Sequence, residues 1–223
     1  SIWGMLECIL GSVKLTGAMA AFPMGAFLGG FFGIGLMALT RRVFGVAWMQ
    51  LGMGIAAGFL RFWAPIGTCV VCSALAIVAE SLVFELIFNA RMLAYTGLNP
   101  RGAVGDAGNV GATGKPAQSV MALVTIGIIA AYAIYVSGYI FTQIFTPILT
   151  TGTFNFSDFS SVLPLILGRG FFAAVFGAVA LPLAVLNGNT VFDSVRARVP
   201  NHYAASAAIS AVCWLIVLAR FWL

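Results

Sequence analysis

Residues 120–149 read VMALVTIGIIAAYAIYVSGYIFTQIFTPIL, without one charged side chain. A helix needs about 20 apolar residues to cross a ~30 Å hydrocarbon core, and this run exceeds that. It is continuously apolar, whereas the strands of a membrane barrel alternate over about ten residues. The surplus length predicts a tilt, or a break near Pro147. Six further apolar blocks lie outward from it: Ile2–Phe22, Met24–Leu39, Gly45–Trp63, Ile66–Phe88, Leu163–Leu186 and Ala204–Leu223. The second is short and separated from the first only by Pro23, so it reads as a full span or as a re-entrant half-helix. The expected fold is an all-α polytopic integral membrane helical bundle of six to seven transmembrane helices.

Composition agrees. Hydrophobic residues make up 61% of the 223 residues and charged residues 8%, with a mean hydropathy of +1.06. A water-soluble domain keeps a polar skin that this chain cannot supply, so its solvent is the lipid bilayer. The net charge of +5 would suggest nucleic acid in a soluble protein. Here the cations fall between the apolar blocks: Arg41 and Arg42, then Arg91, Arg101 and Lys115, then Arg196 and Arg198. With seven spans these alternate loops share one side, and the positive-inside rule puts the amino terminus in the cytoplasm. The other side carries Asp158, with Arg61 and Arg220 expected to snorkel from outer helix ends. No cleavable signal is expected behind Ser1, because no basic stretch precedes a short apolar core.

The chain divides into an amino-terminal four-helix membrane unit (1–93), a Gly-rich cytoplasmic loop (94–118) and a carboxy-terminal three-helix membrane unit (119–223). No repeat joins the two membrane units. Within the loop, Gly102, Gly105, Gly108, Gly111 and Gly114 recur every third residue. Five triplets are too few for a collagen helix, and Asn109 and Pro116 break a P-loop reading. Gly25, Gly29 and Gly33 form one stripe at helical spacing, and Gly54 and Gly58 another. Such stripes let backbones approach closely, for packing within the chain or for docking a partner.

Ionisable groups inside a membrane are costly and point to function. Glu7, Lys14 and Glu80 are the candidates for an intramembrane charge pair. Glu80 lies deep in the fourth block; it pairs with Lys14, carries a proton or contacts a polar solute. Glu85 falls near the cytoplasmic end and is read as interfacial. Tyr132, Tyr135 and Tyr139, continued by Gln143, form the best polar stripe in the chain. With Glu80, Phe154 and Asp158 they are the candidate ligand-binding residues, Phe154 and Asp158 belonging to the outer loop TTGTFNFSDFSS. Cys69 and Cys72 form a Cys-x-x-Cys, read as two packed apolar residues or as a redox pair or disulfide in an oxidising outer compartment. No metal site is expected: zinc wants four ligands, and the single His202 falls on the opposite side. No catalytic set or cofactor motif emerges, so the chain is not expected to be an enzyme.

From Phe22 to Phe88, the texture FPMGAFLGGFFGIGLMAL, a basic turn, LGMGIAAGFL and a closing helix with an internal Glu resembles the S components of energy-coupling-factor (ECF) importers. These are small Gly/Ala-rich bundles of about this length. The resemblance implies capture of a micronutrient from outside and docking onto a transmembrane coupling protein with two ATPases. The expected function is thus a solute-binding transport subunit energised by partners. The alternative is a non-catalytic structural subunit of a respiratory or photosynthetic membrane complex, with redox subunits as partners.

Overall fold

A computed structural model describes residues 2–12, 22–44, 46–64, 69–88, 120–198 and 202–222, with the side chains at 11, 43, 187–198, 202 and 203 outside that description. Lys14, Arg91, Arg101, Lys115 and the glycine-triplet loop lie outside the described residues, as do the side chains of Arg196, Arg198 and His202. All regular structure among the described residues is helical. The elements are α1 (Ile2–Gly11), α2 (Met24–Phe27), a π-helical segment (Leu28–Gly33), α3 (Ile34–Phe44), α4 (Met49–Trp63), α5 (Val70–Ile87), α6 (Val120–Thr151), α7 (Phe156–Arg198) and α8 (His202–Trp222).

Met24 to Phe44 is one uninterrupted helix. Among the described residues, five helical stretches are long and apolar enough to cross a membrane: Met24–Arg42, Val70–Ile87, Val120–Thr151, Phe156–Leu186 and Ala204–Trp222. The chain is a membrane helical bundle. The third expected span is shorter than its apolar block. Trp48 takes a left-handed backbone (φ 64) ahead of Met49, where the helix begins.

The connection between α6 and α7 is shorter than expected. Gly152, at φ 74, closes α6 by donating its N–H to the Ile148 carbonyl (3.1 Å), as a left-handed glycine cap does. Asn155 then caps α7: its Oδ1 accepts from the Ser157 N–H (3.1 Å) and hydroxyl (2.8 Å), which satisfies an orphan donor at the helix start. Phe156, Asp158 and Phe159 are therefore in the first turns of a helix. Pro147 does not break α6, which continues to Thr151.

Inside a bilayer, lipid tails are as apolar as leucine, so helices associate through close packing of small residues. The contacts obey this. A Cβ on Gly30 would stand 2.7 Å from the Ala173 carbonyl, one on Gly4 2.8 Å from Ala57 Cα, and Gly127 backs directly onto the Gly177 carbonyl. These approaches fix the directions. α6 and α7 are antiparallel, and so are α4 and α5. α1 runs parallel to α4, with Gly4 beside Ala57 and the Cys8 thiol 4.0 Å from the Leu60 carbonyl. The central core gathers Trp3, Met37, Phe84, Phe88, Ile134 and Leu181.

Candidate functional site

α5 carries Glu80 into the interior, where it is 4% exposed. Two glycines, Gly29 and Gly138, make the room for it. A Cβ on Gly29 would lie 3.1 Å from Glu80 Oε2, and one on Gly138 would strike Glu80 Cγ at 2.7 Å. One turn before Gly29, a Cβ on Gly25 would meet the Tyr139 hydroxyl at 2.8 Å. The Tyr139 ring lies 4.5 Å from that of Tyr135, which is 2% exposed. Gly29 belongs to the π-helical segment. π-helix inserts are rare and concentrate at functional sites.

Of the predicted ligand-binding residues, the structure gathers Glu80, Tyr135 and Tyr139. Tyr132 faces α7 at Gly170, and Gln143 lies one turn beyond Tyr139, half-buried. Phe154 and Asp158 are exposed at the α6–α7 turn. From Asp158 to Ile166, the α7 residue buried in the Tyr135 cluster, is about 12 Å along the helix axis. The turn residues stand apart from Glu80.

Glu7 accepts a hydrogen bond from the Trp3 indole (3.3 Å) and lies within electrostatic reach of Arg61 and Glu80. Its proposed pairing with Lys14 falls outside the described residues. Arg61 is 7% exposed, with Nη1 3.5 Å from the Ala64 carbonyl, so it is buried rather than snorkelling. Arg220 is exposed, over the Phe221 ring. The five stripe glycines all pack within the chain: Gly33 against the Trp3 ring, Gly54 against Ser81 and Gly58 against Ala74 and Val78, besides Gly25 and Gly29 above.

A second polar cluster joins α3, α4 and α5. Arg41 and Glu85 form a buried ion pair at 3.1 Å, with side chains 8% and 5% exposed. Arg41 also donates to Gln50 Oε1 (3.2 Å) and to the Val46 carbonyl (2.7 Å), and the Gln50 N–H donates to Glu85 Oε1 (3.0 Å). Glu85 is thus a buried ion-pair partner, and Arg41 is buried within the bundle. A carboxylate inside an apolar block signals a buried cation partner, but nothing local names it across 44 residues.

Cys69 and Cys72 form a disulfide. Cys69 caps α5, its Sγ accepting the Cys72 N–H at 3.2 Å, so the reading as two merely packed residues gives way. Among the described residues no group of three His, Cys, Asp or Glu side chains gathers as a metal site. Comparison with protein-family models, curated proteins and solved structures finds no match to this chain.

Proposed function

We propose that the chain is a solute-binding subunit of a membrane transport system, taking its energy from partner subunits. The carrying observation is Glu80: a carboxylate deep in a membrane bundle, in a space left by two glycines, within electrostatic reach of the paired Tyr135 and Tyr139. Such a group is expensive to keep and serves a ligand or ion pathway by default. The solute that suits it is a small micronutrient with a hydrogen-bond donor or positive charge for Glu80 and a flat or apolar portion for the tyrosines. The seven-span topology with a cytoplasmic amino terminus belongs to this reading, as does a coupling protein with ATPases as the partner.

The test is a thermal-shift screen of the purified protein in detergent against vitamins, amines and metal ions. A saturable stabilisation follows RT ln(1 + [L]/Kd). It is expected for one solute class and to be lost in Glu80→Gln and weakened in Tyr139→Phe. A silent screen, together with copurification of redox subunits from native membranes, would favour the structural-subunit reading instead.

A further inference from the structure

A second site lies where α1, α3, α4 and α8 meet. Here the helices leave a cavity of about 490 Å³, walled by Trp3, Leu36, Met49, Met53, Ala56 and Ile209 among others. That volume is within the ~300–1,000 Å³ of small-molecule sites. It shares none of its lining with Gly29 and Gly138, which pack against Glu80, or with Gly25 and Tyr139.

The lining chemistry selects its occupant. Among the described residues that line it, none is charged; the polar side chains are Trp3, Thr40, Ser206 and Ser210. The Trp3 indole donates to Glu7, and the Thr40 hydroxyl donates to the Leu36 carbonyl at 2.7 Å, so both donors turn away from an occupant. Met49 and Met53 bring flexible thioether side chains that adapt to irregular apolar shapes. The cavity is half-open, and Gly52 lies on its rim with nothing within 4 Å of where a Cβ would stand. In a membrane bundle, the occupant whose chemistry matches an open, uncharged, mostly apolar cavity is an acyl chain.

We propose that this cavity is a binding site for one acyl chain of a bilayer phospholipid, held between α3, α4 and α8 with the headgroup outside. The proposal is independent of the Glu80 reading.

The glycines supply a matched test. Gly52→Leu adds a branched side chain at a lining position where the first added carbon meets nothing within 4 Å. Gly168→Leu on α7 is the control, since a Cβ there also meets nothing within 4 Å and Gly168 does not line the cavity. The purified protein in mild detergent is titrated with a phosphatidylcholine whose palmitoyl chain carries a diazirine, then irradiated and mapped by peptide mass spectrometry. The expected result is saturable labelling near one lipid per chain on the Met49–Ala56 and Ser206–Ser210 segments, competed by unlabelled phosphatidylcholine. Gly52→Leu should weaken it at least about tenfold, and Gly168→Leu should leave it unchanged. If Gly52→Leu does not fold, Ala56→Leu fills the same cavity from the next turn. Labelling that never saturates, labelling equal in the filled and control variants, or chain-to-chain crosslinks at these segments in its place would overturn the proposal.

Discussion

At the residue scale, Arg41 and Glu85 carry the sharpest expectation. Removing one member of a buried ion pair strands the other, which costs about 3–5 kcal/mol, whereas replacing both with apolar residues is often neutral. Glu85→Leu is therefore expected to lower the thermal midpoint in detergent strongly, and Arg41→Met with Glu85→Leu to recover most of the loss. Equal loss in the single and double variants would show that Arg41 does not depend on Glu85. The disulfide behaves differently. Cys69 and Cys72 close a loop of only four residues, so the chain-entropy model gives about 2 kcal/mol at most. Cys69→Ser with Cys72→Ser should keep a folded chain whose midpoint drops modestly, read by the same melt. Of these partnerships, the Cys-x-x-Cys spacing was legible in the sequence. The ion pair was not, because a cation at a helix end reads equally well as a loop charge.

At the element scale, the helix from Met24 to Phe44 sets up a comparison between two of its own glycines. A Cβ on Gly30 would press on the Ala173 backbone at 2.7 Å, while one on Gly35 would meet Ala180 Cβ at an ordinary 3.7 Å. Gly30→Ala should destabilise by about 1–3 kcal/mol, the range for forcing extra volume into a packed site. Gly35→Ala should be neutral or gain up to about 1 kcal/mol from helix propensity. Chemical or thermal unfolding of the two variants checks the ordering, and the reverse ordering would mean that the Gly30 approach is absent in solution. The apolar blocks foretold where helices lie, because lipid imposes a length and a composition on any segment that crosses it. They did not foretell the π-helical segment at Leu28–Gly33, since no residue type demands that winding. Nor did they foretell that α7 begins at Phe156: the start is decided by the Asn155 side chain, a single cap easily lost inside TTGTFNFSDFSS.

At the scale of the whole molecule, the chain should stay with membranes through salt and carbonate washes and leave only with detergent. The expected orientation is checked by single cysteines in a background with Cys8, Cys69, Cys72 and Cys213 replaced by serine. Asn109→Cys should react with an impermeant maleimide only from the cytoplasmic side, and Asp158→Cys only from the opposite one; reaction from the same side would remove the positive-inside assignment. One architectural detail also gives this bundle a built-in gauge. Trp63, Trp214 and Trp222 sit along the seam of α4 and α8, where the Trp222 indole donates to the Trp63 carbonyl (3.0 Å), the two rings lie 6.3 Å apart, and Trp214 stacks near Phe59. Three of the chain's five tryptophans thus stand at that seam, so part of its ultraviolet emission comes from there. A shift in emission colour or lifetime would then report the last helix swinging away from its neighbour, with no dye attached.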